Sequence, residues 1–453
     1  GFRGIGSLNS SDADMAMHVG NLNGNGSTVK LNMSFYRYGK DYDQYYNDIN
    51  INNTTSVDCK TGLGLFNNLI QSSDNENNTI SNLTISGHVD YEYYKDHSGK
   101  KNIIYENNSS FSCVGALAGV GSNLNLEKIS LNELSVNSRF VSGGIVGYAK
   151  DSIKIKDLNA SKLYVSGNFI SGGIIGIANK CDVDIDGSSG TDGNNRGTIT
   201  EGTINSCGKT YTFDGGREYA LGLGTAAVIG AYMQENSNKK IQTIKNINIE
   251  SFNITAPQIK RAMVGTVIGC CGNSTISQMV IQNIDVDKVN INKDSGNDYK
   301  EFAFNGGAIG IIKSGVKKCE ISGVKIIGDK DNKNTINGYR HSGGIIGLTA
   351  SKNAIINNCQ IENYILVTDN AGEDAGGIVG KVDDNFKLII KNSKIRDCEI
   401  LIKDNNKKND KGTYSGGIVG KIGEGACFYG YNIALDNVQF INREDSKTGA
   451  GEI

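Results

Sequence analysis

Asp182, Asp184 and Asp186 alternate in DVDIDG and open the spacing of a calcium loop, in which carboxylate oxygens replace the hydration shell of a hard cation. The twelfth position of such a loop needs a bidentate glutamate but is Gly193, so Asp192 or Asn194 would have to complete the shell. The same letters have a plainer reading: on a strand the three aspartates share one face, with Val183 and Ile185 on the other, and form a solvated row. Hydrolysis of sugars needs two or three carboxylates gathered across neighbouring elements. Asp285 with Asp287, Asp383 with Asp384, and Arg340 beside His341 are possible ingredients, but none recurs at a common phase. His18, His88, His97 and His341 are the only histidines, and none stands with a plausible activated nucleophile. The residues read as those of a non-enzyme.

Binding chemistry has better material. Tyr36, Tyr38, Tyr42, Tyr45 and Tyr46 crowd one stretch, and Tyr91, Tyr93 and Tyr94 another. Tyrosine offers apolar area with a polar tip, so these rings suit stacking on sugars or anchoring a protein partner; equally they could cover the first structural units. Tyr299, Tyr339 with Arg340, and Tyr414 extend the candidate binding set.

What must position these residues is a repeat. The phrase SGGIVG or a close copy occurs at 142–147, 171–176, 305–310, 342–347, 375–380 and 415–420, with looser copies at 115–119, 226–230 and 265–269. Its glycines are Gly143, Gly144 and Gly147; Gly172, Gly173 and Gly176; Gly306, Gly307 and Gly310; Gly343, Gly344 and Gly347; Gly376, Gly377 and Gly380; and Gly416, Gly417 and Gly420. Gly119, Gly147 and Gly176 lie 28 and 29 residues apart, and later gaps are longer. After each phrase comes an alternating run such as SIKIKDLNASKLYV or AIINNCQIENYILV, a period of two that means strands. Strands this short cannot bury a core alone, so coils must stack with like residues in register. The expected fold is all-β, a single elongated parallel β-solenoid with insertions along one edge. The glycines are expected to permit positive φ at its corners and close approach between coils. One proline and 55 asparagines fit, because interior coils need every N–H while Asn tolerates left-handed corners and can ladder along a stack.

Insertions recur just before the Gly-Gly, at 295–304, 328–341, 368–375 and 403–414, with the largest at 186–219. Residues 1–110 read as cap-like entry coils and 111–453 as the solenoid proper. The insertion edge is the expected binding face. Ten scattered cysteines lack zinc spacing and read as buried thiols, with a bridge such as Cys181 to Cys207 as the alternative. The net charge of −2 leaves no footprint for nucleic acid, and no apolar run is long enough to span a bilayer.

In its glycine phrases, and in the opening FRGIGSL, GNLNGNGSTVKLNM and GLGLFNNL, the chain resembles the GLUG-motif repeat family of bacterial surface proteins, which are adhesin-like β-solenoids. The resemblance implies a right-handed solenoid displayed outside the cell and brings no catalytic residue with it. The expectation is an adhesin or stalk segment binding a glycan or a host protein. The alternatives are a filament subunit stacking end to end on its own copies, and a carbohydrate-active enzyme with a carboxylate groove across three coils.

Overall fold

The computed structural model describes residues 17–37, 59–71, 78–93, 111–138, 141–167, 169–189, 195–206, 223–236, 241–256, 262–272, 274–291, 303–338, 340–368, 374–403, 414–443 and 449–451. Every regular element among them is a strand, in two parallel sheets of 27 and 11 strands. One coil shows how the chain builds both. Val141–Gly143 belongs to the small sheet, Gly144 and Ile145 turn the chain, and Val146–Gly167 wraps through four short flat faces. Three residues in the left-handed region, Asp151, Asp157 and Lys162, make the corners between those faces, with φ of 63°, 57° and 51°. The next coil, starting at Ile170–Gly172, lies on this one in register, and the small sheet adds its strands in chain order throughout. The result is a parallel β-solenoid.

Alternation explains the core. Inward positions carry aliphatic side chains that repeat from coil to coil, as in the column Ile80, Leu126, Ile155, Ile185, Ile244, Ile281, Ile321, Ile356 and Ile390. Each of these is at most 1% exposed. Burying one such side chain stabilises by about 1.5–3 kcal/mol, and every coil contributes to several columns. The corners confirm the role expected for asparagine: of the 21 described non-glycine residues with positive φ, eleven are Asn. They ladder as well. Asn283 Nδ2 donates to Asn246 Oδ1 at 3.2 Å, and Asn432 Nδ2 to Asn392 Oδ1 at 3.0 Å, one coil apart in each case.

The repeat phrase works differently from expectation in one respect. Gly143 and Gly144 do not adopt positive φ; their service is close approach alone. A Cβ on Gly143 would stand 1.9 Å from the Val146 carbonyl oxygen, and one on Gly144 1.9 Å from that of Gly173 in the next coil. The serine that opens the phrase has a job the sequence did not disclose. Ser142 and Ser171 turn inward and donate to the carbonyls of Ser166 and Asn205, at 2.6 and 2.7 Å, tying the start of a coil to its fourth face. Asn305 does the same to Asn337.

The insertions at 295–304, 368–375 and 403–414 enter from the fourth face and leave into the small sheet, so they share one phase of the coil. Most of their residues lie outside the described set. Two others divide. Within 328–341, Asn334–Gly338 is a rung stacked on Tyr364–Thr368, and the extra residues precede it. Within 186–219, Gly197–Ser206 is a strand paired on both sides, to Val146–Gly167 and to Ile241–Thr255.

Candidate functional site

A groove of about 540 Å³ runs along the stack over the corner between the first and second faces. It crosses five successive coils, from Gln71 and Asn78 to Asn236 and Thr243. Its ends follow from breaks in the repeat. The first break separates Phe66–Gln71 from the strand starting at Ile80, and the second separates Ile229–Gln234 from the strand starting at Ile241. At each break a buried glutamine stands in for main chain. Gln71 Oε1 accepts the Asn125 N–H at 2.6 Å, and Gln242 Oε1 accepts the Val183 N–H at 2.6 Å. An amide in the interior of a sheet must be paired, and these side chains do it where the ladder is interrupted.

Between those ends, outward positions form a register column of Asn125, Lys154, Asp184 and Thr243. Each coil here turns its corner with one left-handed residue, Asn123, Asp151 or Lys180. Ser152 donates to Asn123 Oδ1 at 3.2 Å, and Ser122 hydrogen-bonds Asp151. Farther along, the corner is a reverse turn closed by N–H to carbonyl bonds, Val316 to Lys313, Phe386 to Asp383 and Ala426 to Gly423. The groove ends before those turns begin. Its lining carries Asp151, Asp182 and Asp184 against one cation, Lys154.

The DVDIDG motif lies on this wall as a strand, Ile175–Asp186, with Val183 and Ile185 inward as alternation requires. Its aspartates do not converge. Asp182 is 8% exposed, not solvated, and accepts the Asn236 N–H at 3.2 Å. Asp184 is bonded by Thr243 of the following coil. Asp186 accepts from Ser188 and Asn246 at 2.6 and 2.9 Å and faces the Lys245 ammonium at 3.2 Å. Burial alone would raise the Asp186 carboxyl, but those hydrogen bonds and the ammonium outweigh it and hold its pKa below the ordinary value. Among the described residues no three His, Cys, Asp or Glu side chains gather as metal ligands do. Asp192 lies outside the described set.

The aromatic candidates scatter. Tyr91 is 5% exposed and belongs to the core, so it is no ligand platform. Tyr36 and Tyr93 sit on the paired strands Leu22–Arg37 and Ile80–Tyr93, and their side chains lie outside the described set. So do Tyr38, Tyr42, Tyr45, Tyr299 and Tyr339. Tyr414 is 43% exposed, with the Lys421 ammonium 4.7 Å from its ring centre. Arg340 is half-buried and bonds through its main chain to Ala303 and Asp374. Of the other carboxylates considered, Asp285 pairs with Arg196 at 2.6 Å and Asp383 with Lys381 at 2.9 Å.

Cys181, Cys270, Cys271, Cys319, Cys359 and Cys398 are buried and unbridged, as column-filling thiols should be. The suggested Cys181–Cys207 bridge is therefore not made; the side chain of Cys181 fills the core. Cys113, by contrast, is disulfide-bonded. Compared with protein-family models, with curated proteins and with solved structures, the chain matches none.

Sequence reasoning passed over Gln71, Asn125, Lys154 and Gln242. A signal for Gln242 was present: it falls in phase with the inward Ile244 of the alternating run IQTIKNINIE, ahead of the left-handed corner at Asn246. A polar side chain at a core position next to a break in the repeat marks a place where the fold is doing something other than stacking.

Proposed function

We propose that the chain is a segment of a bacterial cell-surface adhesin or stalk, a rigid solenoid that presents a binding face to a glycan or a protein. The observation that carries this reading is the groove, a concave polar strip that crosses five coils on a scaffold otherwise devoted to self-stacking. Support for a site outside the cytoplasm comes from the bridged Cys113, because disulfides persist in oxidising compartments. The glycine-phrase resemblance to GLUG-motif surface proteins points the same way.

The test is a glycan and host-protein array probed with this segment and with two variants. One shortens 295–302 and 404–413 to Gly-Ser links, leaving the Asn334–Gly338 rung intact; the other alters the groove. Specific binding lost in either variant establishes a binding segment and locates its face. An array with no signal for the unaltered segment overturns the reading.

A further inference from the structure

We infer that the groove takes a linear, extended, neutral or amino-sugar glycan lying parallel to the solenoid axis, about one sugar ring per coil. This deepens the proposed binding role and rests on it. The first argument is spacing. Parallel rungs lie about 4.8 Å apart, so the four steps from the Gln71 coil to the Thr243 coil span about 19 Å. Along that line the column Asn125, Lys154, Asp184 and Thr243 offers one hydrogen-bonding side chain per rung. An extended 1,4-linked pyranose chain advances by a step of the same order and carries hydroxyls at each step, so one ring meets one rung.

The second argument separates a glycan from a peptide. A peptide adding to a sheet needs an edge of unpaired N–H and carbonyl groups. Here the strands on either side are already paired coil to coil, and the two amides at the breaks are held by Gln71 and Gln242. Recognition must come from side chains, which suits a ligand rich in hydroxyls. The third argument is charge. Three aspartates against Lys154 make the lining net acidic, which disfavours uronates and sulfated sugars and accepts neutral or cationic ones.

Calorimetric titration of the whole segment with chitin and cellulose oligomers of two, four and six units, and with tetragalacturonate, tests this. The expected result is at least a tenfold gain in affinity from dimer to tetramer for one neutral series, less than a twofold gain from tetramer to hexamer, and no binding of tetragalacturonate. Asp184→Lys, at an exposed outward position, is expected to weaken the tetramer at least tenfold while the Val183 amide keeps its hydrogen-exchange protection. Flat length dependence, or tetragalacturonate bound as well as the neutral tetramers, overturns the inference, and the unaltered protein alone decides both. Array binding that survives Asp184→Lys but is lost when 404–413 is shortened overturns it while leaving the adhesin reading standing. No binding to any array member removes both.

Discussion

Gln242→Ala should unpin the groove at one end. Gln242 is fully buried and its Oε1 takes the Val183 N–H at 2.6 Å, in a place where the strand break leaves no main-chain carbonyl to do so. Truncation orphans a buried donor, worth about 1–3 kcal/mol. In a solenoid the loss is felt between neighbouring coils before it is felt globally, so the right assay is hydrogen exchange at Val183, alongside urea unfolding. The expected outcome is exchange faster by about 5- to 150-fold at that amide, with columns several coils away unchanged. A second substitution sharpens the test. Gln242→Glu keeps an acceptor for Val183 but sets a carboxyl 3.5 Å from Asp182 Oδ1, where the amide now donates. Burial and the neighbouring carboxylate must raise its pKa above the unfolded value of about 4.3. The variant should match the parent below that unfolded pKa, where the protonated acid donates as the amide did, and lose stability as pH rises through the raised folded pKa. Unchanged Val183 protection in the alanine variant, or a pH-independent glutamate variant, would refute the assignment of Gln242 as a main-chain substitute.

Burial pushes the Cys319 thiol up to about 12 and those of Cys359 and Cys398 up to about 11, while Cys427 is exposed. In the folded protein at pH 8, alkylation followed by peptide mass spectrometry should therefore find Cys427 labelled and these three untouched until denaturant is added. His341 Nδ1 lies 3.1 Å from Asp374 Oδ2, yet burial outweighs that carboxylate and, with Arg340 and Lys381 nearby, lowers the imidazole pKa. Stability linked to His341 should be fully present above its unfolded pKa of about 6.5 and fall as pH drops toward the lower folded value, a slope that His341→Gln should flatten in urea titrations at pH 5 to 7. Gly344→Ala would place a Cβ 2.2 Å from the Gly377 carbonyl oxygen, main chain against main chain, so a loss of about 1–3 kcal/mol or more is expected in chemical unfolding, and a neutral result would show that coils can separate freely.

Most of the architecture was legible because a solenoid writes its period into the chain. The Gly-Gly phrase, the period-two runs and the surplus of asparagine each map onto a repeated feature: the tight turn, the flat face and the left-handed corner. What misled was the expectation that the phrase glycines turn the chain through positive φ. The bends between faces belong to residues such as Asn283, Asp157 and Lys162, whereas the phrase glycines lie where backbones meet at distances that exclude a Cβ. Two of the stretches taken as insertions went astray for a related reason. Gly197–Ser206 and Asn334–Gly338 sit among polar, irregular sequence and carry too few alternations to declare themselves, yet main-chain pairing to the coils around them suffices to hold them in the stack. The groove was illegible for a different cause: its residues are gathered from positions 71 to 243, and only stacking brings them to one line.

The outward columns also answer a question the core leaves open. Inward rows of isoleucine and leucine are nearly interchangeable, so apolar burial alone does not say which coil should lie on which, or in what register. The second face supplies the distinction. One column runs Glu127, Lys156, Asp186 and Lys245, alternating in sign from coil to coil, and the parallel column sets Lys154 against Asp184. A slip of one coil would place like charges opposite one another, and a slip of one residue would turn these charges into the core. Individually such exposed pairs stabilise little, but alternation along a column penalises a one-coil slip at several rungs at once. Of these two columns, the one that sets Lys154 against Asp184 also lines the groove. A substitution such as Asp184→Lys should consequently be judged on register as well as on binding, by checking that the Val183 and Asp184 amides keep their protection before any loss of affinity is assigned to the ligand.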